Sequence, residues 1–317
     1  MTRWSRSEGS TRTWLKTSLA LGTVVRTQVV GTQSEETVEQ AQTQAMAAMR
    51  AVEDACSRFD KDSELSRLVL APVGSLVEVS PILFQALHFA CEVAEWTEGR
   101  FDPTVAARMD ELGFTQHYLT GESVHWAMQA AAEATFRDLE LDEANRAVRL
   151  HRPLRLDLGA VAKGLAVDLA VKELSAFGFD GFVVDAGGDV YVAGCTENGE
   201  PWTVGIRHPV LHEQSILTLK VQDVAVCTSG TYERPSPREE GAHHILNAQT
   251  KRSAHGFLSA TAIGPFAMMA DAFSTAAFLY PPAQALDVLE RVGLEGITVS
   301  EDLHVELTSG MERYLHE

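Results

Sequence analysis

The chain has 317 residues, 45% of them hydrophobic, so it can bury a substantial core as one large domain or two small ones. Its 44 acidic residues against 26 Lys and Arg give a formal charge of −18, which disfavours binding to nucleic acid. An acidic protein that holds an anionic nucleotide needs local positive charge from a metal ion, a helix N-terminus or a few lysines.

Membrane and cysteine signals are weak. No stretch reaches the roughly 20 apolar residues that span a bilayer, and the richest window, residues 257–282, is interrupted by Pro265 and Asp271. The apolar run Leu19–Leu21 is too short for a signal-peptide core. The four cysteines form no C-x-x-C pair, so neither a zinc site nor a disulfide framework is predicted. We therefore expect a cytoplasmic protein without an integral membrane segment.

The first third of the chain is predicted to be mostly helical. Residues 1–12 are rich in Ser, Thr and Arg without an apolar period, which predicts a flexible tail before a first strand at Val24–Val30. Ser34 can cap a long helix. Its apolar face recurs at three- and four-residue steps through Ala45, Met49, Val52, Cys56 and Phe59. A second helix begins at Ser80 and Pro81 and stops at Gly99.

The rest of the chain alternates between short strands and helices. A strand at Val148–Leu156 leads through Gly159 into a helix from about Val161 to Gly178. Further strands are predicted at Gly181–Asp185, Val190–Ala193, Trp202–Ile206, Ile216–Val221, Val224–Cys227, Leu258–Ile263, Ile297–Val299 and Val305–Leu307. Helices are predicted at Phe266–Tyr280 and Ala283–Val292. Residues 13–317 are therefore interpreted as one α+β domain of mixed sheets flanked by helices.

Asp271 and Thr275 are four residues apart on a predicted helix, so their oxygens project from the same face. Magnesium takes few protein ligands and completes its shell with water and phosphate, so this pair suits a metal shared with a nucleotide. The alternative is an exposed Asp beside a Thr that bonds back to its own helix.

Two turns could hold an anion or a flat ligand. Asp157 ends a strand and Gly159 opens a helix whose free N–H groups face the turn, with Lys163 available as a point charge near phosphate. The lysine precedes Gly164 and no Ser or Thr follows it, which excludes a Walker A loop. Residues 183–190 and 228–230 are interpreted as glycine-permitted turns, and no dinucleotide-binding fingerprint is present.

His243 and His244 lie in a polar loop between predicted strands. An imidazole there could accept a proton from an attacking hydroxyl. The competing interpretation is a pair of surface histidines.

In order, these segments resemble the ApbE family of FAD:protein FMN transferases from about Leu21 to Tyr280. The matching stretches are Leu21–Thr23, Cys56–Phe59, Ser63–Leu68, Gly99–Val105, Asp157–Gly164, Asp185–Asp189, Trp202–Pro209, Thr228–Gly230, His244–Leu246 and Ala270–Thr275. The resemblance implies a magnesium-dependent enzyme that transfers the FMN half of FAD to a Thr or Ser hydroxyl of an acceptor protein and releases AMP.

The resemblance also implies roles for individual residues. Asp102, Asp157 and Lys163 would contact FAD, with backbone around Leu21, Arg100, Phe101 and Ile245. The Ala160 carbonyl, Asp271 and Thr275 would hold magnesium, with Asp271 acting in catalysis, and His244 would activate the incoming hydroxyl. The FMN-accepting protein would be cytosolic.

One loop departs from the family pattern. After His244 the sequence has Asn247, Ala248 and Lys251 where the family usually has Asp, Pro and Gly. Losing these residues could loosen the site, so two alternatives stay open: hydrolysis of FAD to FMN and AMP, and a noncatalytic FAD-binding protein.

Overall fold

The computed structural model describes residues 11–117, 120–124 and 128–315. The predicted tail, residues 1–12, lies outside the described residues except for its last two. The α+β class is confirmed. No helix of the described part is long and apolar enough to cross a membrane.

Seven α-helices lie in the described ranges. They are α1 (Glu35–Cys56), α2 (Glu64–Leu70), α3 (Pro81–Trp96), α4 (Ala106–Glu111), α5 (Gly159–Ser175), α6 (Ala267–Ala277) and α7 (Pro282–Arg291). Their starts follow the sequence signals where a cap exists: Ser34 Oγ accepts from Thr37 N (3.2 Å) at α1, and Ser80 Oγ accepts from Leu83 N (3.2 Å) at α3.

Fifteen strands are described. They are β1 (Arg12–Ala20), β2 (Thr23–Gly31), β3 (Leu76–Glu78), β4 (Leu139–Asp142), β5 (Ala147–Leu150), β6 (Gly181–Ala186), β7 (Asp189–Gly194), β8 (Trp202–Arg207), β9 (Ser215–Val221), β10 (Val224–Gly230), β11 (Leu246–Asn247), β12 (Arg252–Ser253), β13 (Phe257–Gly264), β14 (Glu295–Ser300) and β15 (Val305–Leu307).

Eight strands form the central sheet in the order β1-β2-β6-β7-β10-β13-β14-β15, and each neighbouring pair is antiparallel. Smaller antiparallel sheets are β3-β5-β4, the β8-β9 hairpin and the β11-β12 hairpin. Because adjacent residues of a strand point to opposite faces, the central sheet can be apolar on both sides.

The two faces of the central sheet are covered by different layers. Helices α1, α3, α5 and α6 pack on one face around the main core, which includes the fully buried Met49, Leu87 and Leu165. The β8-β9 hairpin covers the other face, where Trp202 and Leu219 join a second cluster. The helical layer matters for the site, since it brings α5 and α6 together.

Several sequence-based boundaries were wrong. The strand predicted at Val24–Val30 is present as β2, but β1, which precedes it, was not predicted. The strand predicted at Val148–Leu156 is only β5, because the chain after Leu150 forms no ladder. Helix α1 ends at Cys56, before Phe59. The remaining predicted strands and helices are present within a few residues of their expected bounds.

Candidate active site at the crossing of two helices

The turn that begins α5 is held by the Asp157 carboxylate. Asp157 Oδ1 accepts from Gly159 N (2.8 Å), and Oδ2 lies 2.5 Å from Nε of the buried Arg58. The Asp157 N–H donates to the Pro103 carbonyl (2.8 Å), which ties this turn to the segment that follows Asp102. The turn expected at the start of this helix is therefore present and held by these three contacts.

Helices α5 and α6 cross at Gly164. A Cβ built on Gly164 would lie 2.4 Å from the Ala267 carbonyl oxygen and 2.5 Å from Met268 Cα, both backbone atoms. Only glycine permits this close approach, since no side-chain movement could relieve the contact. The glycine in this motif therefore sets the distance between the two helices.

Polar bonds connect the crossing at two levels. Asp168 on α5 accepts from the Ala267 and Met268 N–H groups (2.7 and 2.9 Å), and the Gly164 N–H donates to Asp271 Oδ2 on α6 (3.0 Å). Gly164 and Asp168 are four residues apart, as are Ala267 and Asp271, so the helices run antiparallel with one bonded level per turn.

We expect Gly164→Ala to destabilise the protein, although alanine in a helix interior ordinarily stabilises by about 1 kcal/mol over glycine. The new methyl group must push against the backbone of α6, and overpacking of this kind lowers the free energy of unfolding by about 1–3 kcal/mol. Chemical denaturation of the variant and the wild type measures the difference. A gain in unfolding free energy would contradict the close crossing.

Lys163 lies among buried carboxylates. Its Nζ pairs with Asp189 and lies 3.5 Å from Asp271 Oδ1, and these two aspartates are 1% and 2% exposed. Burial, followed by the charge of Asp271, raises the pKa of the nearby Asp168 to about 6 against the lowering effect of its two backbone bonds. Asp189 and Asp271 beside one lysine leave a local formal charge of −1, and this excess negative charge favours a bound cation.

The donor chemistry fits magnesium. Within the described ranges, no three His, Cys, Asp or Glu side chains are arranged to share a metal ion. The oxygens expected to hold the ion are the Asp271 carboxylate, the half-buried Thr275 hydroxyl and the Ala160 carbonyl, a sparse set typical of Mg²⁺ that keeps water and phosphate ligands. In an α-helix the N–H of residue 164 faces the carbonyl of Ala160. Here the Gly164 N–H donates to Asp271.

Ser229 was not expected to act on this site. At the end of β10, its hydroxyl lies 2.8 Å from Ser274 Oγ and 2.9 Å from Thr275 Oγ1. The sequence suggested only a close ligand approach at residues 228–230. A hydroxyl at a strand end was the available signal, but nothing in the sequence connected it to Thr275. Ser229 therefore orients the Thr275 side chain.

The two histidines differ in their surroundings. His243 is buried; its Nε2 bonds with the Ala254 carbonyl oxygen (2.8 Å) and its Nδ1 accepts from Ile245 N (3.3 Å). His244 Nδ1 is buried and has no hydrogen-bond partner. Burial, then Arg234 and His243, lowers the pKa of His244 to about 3. His243 is thus a structural residue, and His244 has a neutral imidazole with a free nitrogen.

The turn after His244 is closed despite its unusual sequence. Asn247 Oδ1 accepts from the N–H groups of Gln249 (3.0 Å) and Thr250 (3.1 Å), and Nδ2 donates to the Leu279 carbonyl. Lys251 adopts φ 58°, the left-handed conformation that glycine usually provides. The amide therefore replaces a carboxylate as the turn-capping acceptor, and β11 and β12 still pair.

The other expected cofactor-contacting residues are held by contacts of their own. Leu21 and Gly22 form the two-residue turn between β1 and β2, with φ 55° and 78°. The Asp102 carboxylate accepts from Thr104 N (2.8 Å) and Phe136 N (3.0 Å), so it primarily holds local structure. Burial raises the pKa of Asp102, opposed by these bonds.

Arg100, Phe101 and Ile245 are also fixed internally. The Arg100 guanidinium lies over the Tyr280 ring (4.9 Å), and the backbone carbonyl of Arg100 accepts from Ala248 N (2.9 Å). Phe101 and Ile245 are buried in the main core. A cleft of about 860 Å³ lies beside them, between α4, residues 129–137 and the 246–251 turn, and is lined by Asp102 and Asn247 rather than by the α5–α6 residues.

Comparisons with known proteins give one consistent result. The ApbE family model matches residues 21–298. The FAD:protein FMN transferase of Treponema pallidum is 28% identical over 95% of this chain and 88% of its own, and that of Rhodobacter capsulatus is 33% identical over 64% and 39%. The solved ApbE protein of Thermotoga maritima has a TM-score of 0.83 and 28% identity, covering 96% of this chain and all of its own.

Proposed function

Because the chain belongs to the ApbE family, we propose that it is a FAD:protein FMN transferase. The enzyme would attach FMN through a phosphoester bond to a Thr or Ser of an acceptor flavoprotein, with release of AMP. Residues 13–317 would form one catalytic domain, and the acceptor protein would be cytosolic. The observation that carries it is the buried Asp271 on α6, which faces Lys163 and Gly164 of α5.

The metal would be magnesium, held by Asp271, Thr275 and the Ala160 carbonyl. The two bonded levels of the crossing support this set: one further turn along both helices brings Ala160 level with Thr275. When bound, magnesium supplies positive charge that neutralises the pyrophosphate of FAD.

The FAD contacts are proposed for Lys163, Asp157 and Asp102, with backbone around Leu21, Arg100, Phe101 and Ile245. Lys163 provides a point charge suited to phosphate, since a cation held by Asp271 would take up one of the two carboxylates that Lys163 faces. Asp157 keeps unused lone pairs that suit a ribose hydroxyl, since each of its oxygens has one partner.

The transfer is an in-line displacement at the FMN phosphorus. The acceptor hydroxyl oxygen forms the new P–O bond, the bond from phosphorus to the bridging oxygen breaks, and that oxygen leaves with AMP. The hydroxyl proton passes to His244 Nδ1, the buried nitrogen that has no partner. Its lowered pKa keeps the imidazole neutral but makes it a weak base, and a phosphate anion bound nearby would raise its basicity by stabilising the imidazolium.

A mass-spectrometric assay tests the proposal. The purified protein is incubated with FAD, Mg²⁺ and a candidate FMN-accepting domain, and both acceptor mass and free AMP are followed. We expect an acceptor heavier by one FMN moiety, with AMP released in equal amount. AMP with an unmodified acceptor would favour hydrolysis, and bound FAD without AMP would favour a carrier.

The changed residues after His244 do not by themselves favour FAD hydrolysis or a noncatalytic FAD-binding protein. Asn247 closes the turn with the same acceptor geometry that an aspartate would offer, and the Asp271, Lys163 and Thr275 side chains lie outside that turn. We therefore propose transfer to an acceptor and not hydrolysis or FAD binding alone.

We expect His244→Gln to slow transfer by about 10²–10⁴-fold, the usual contribution of a positioned general base. FAD affinity should change little, because the glutamine fills a similar volume. His304→Gln, at an exposed histidine far along the chain, is the control. An unchanged turnover rate in His244→Gln would remove the proton-accepting role.

A further inference from the structure

Helix α6 has no cap of its own. The residue before it, Phe266, is apolar and makes no side-chain cap bond. The first N–H groups of a helix have no intrahelical acceptor, so another group must satisfy them. Here the acceptor comes from a neighbouring helix: Asp168 on α5 takes Ala267 N with one carboxylate oxygen (2.7 Å) and Met268 N with the other (2.9 Å).

We propose that Asp168 is a positioning residue for the metal-holding face of α6, which carries Asp271 and Thr275. Its two bonds fix the axial register of α6 against α5, and this register determines where Asp271 and Thr275 lie relative to Ala160. The inference deepens the proposed function and rests on it.

The contacts at the crossing support a register role. At Gly164 the helices touch through backbone, and no side chain of that residue interlocks with α6 to prevent sliding. Hydrogen bonds therefore define the register of the two helices. Asp168 bonds to Ala267 at one end, and Gly164 bonds to Asp271 one turn away. A slip of one turn, about 5.4 Å, would separate Asp271 from the Gly164 amide.

The two bonds from Asp168 also restrain the rotation of α6 about its axis. Two carboxylate oxygens on two successive N–H groups fix both the position and the rotation of the first turn of α6, whereas a single bond would leave rotation free. Asp271 lies on the next turn of the same face, and Thr275 one turn beyond, so an error in rotation at Ala267 is carried to both. Residues that orient metal ligands in this way typically change metal affinity by about 10–100-fold when removed.

The test separates positioning from simple capping. Mn²⁺ serves as the probe, and its dissociation constant is measured by electron paramagnetic resonance in the presence of FAD without acceptor, together with the melting temperature. The variants are Asp168→Ala and Asp168→Asn; asparagine has one acceptor oxygen and keeps one of the two bonds, so it provides a milder change if the alanine variant does not fold. Ser34→Ala, which removes the cap of α1, is the matched control.

We expect Ser34→Ala to lower the melting temperature and leave Mn²⁺ affinity unchanged. Asp168→Ala should weaken Mn²⁺ binding at least about tenfold, with Asp168→Asn intermediate. Mn²⁺ affinity within twofold of the wild type in both Asp168 variants would overturn the positioning role and leave a structural cap.

The proposed function can fail separately. If Asp271→Ala binds Mn²⁺ as tightly as the wild type, the metal assignment itself is wrong and the role of Asp168 falls with it. If Asp271→Ala loses Mn²⁺ and the Asp168 variants do not, only the positioning role is overturned.

Discussion

Asp271→Ala should reduce magnesium-dependent turnover by at least about a thousandfold, since a metal contributes several kcal/mol to transition-state charge stabilisation and each 1.36 kcal/mol is tenfold in rate. Asp271 is 2% exposed and supplies the only carboxylate among the three proposed ligands. FAD binding should persist in part, because Lys163 keeps its pairing with Asp189 and Asp157 keeps its turn. Turnover is followed by acceptor mass and FAD binding by flavin fluorescence.

Two further variants sharpen this result. Asp271→Asn retains an oxygen that can accept from Gly164 N, so it removes the charge while preserving the bond between the helices. We expect it to fold like the wild type and to be nearly inactive. Asp287→Asn makes the same chemical change at an exposed site on α7 and should be fully active. Full activity in Asp271→Ala would exclude Asp271 as a metal ligand.

Arg58→Met should lower the free energy of unfolding by about 3–5 kcal/mol, the usual cost of breaking a buried ion pair from one side. Arg58 is 5% exposed; its side chain lies 2.9 Å from Asp110 Oδ1 and 2.5 Å from Asp157 Oδ2, and it donates to the Phe114 carbonyl (2.6 Å). Removing it leaves the half-buried Asp110 and Asp157 carboxylates with less compensation. Denaturant titration measures the loss.

The matched control for Arg58→Met is Arg26→Met. Arg26 is 58% exposed and lies 3.7 Å from Asp185, a surface pair worth about 0–1 kcal/mol. Equal losses in the two variants would contradict the importance of the buried pair. Arg58→Met should also weaken FAD binding, because the Asp157 turn at the start of α5 loses its support.

The sequence predicted the elements whose apolar period agrees with their burial. Helix α3 has a cap at Ser80, proline in its first turn and one apolar face, and it appears as expected. Strand β1 was missed because its pattern is reversed: Leu15 and Leu19 point outward and are 67% and 56% exposed, while Lys16 and Ser18 lie on the inner side. An edge strand that hides no continuous apolar face gives no alternation signal.

The sequence by itself determined the family motifs, the α+β class and the position of Asp271 and Thr275 on one helix face, because each depends on residue types at short spacing. Only the tertiary structure decided how α5 and α6 cross. Three contacts join residues that are 46 to 103 positions apart: Gly164 against the backbone of Ala267, Asp168 as the cap of α6, and Ser229 beside Thr275. No local period encodes such contacts. The same holds for Asn247, whose turn-closing bonds could be judged only once the backbone around it was known.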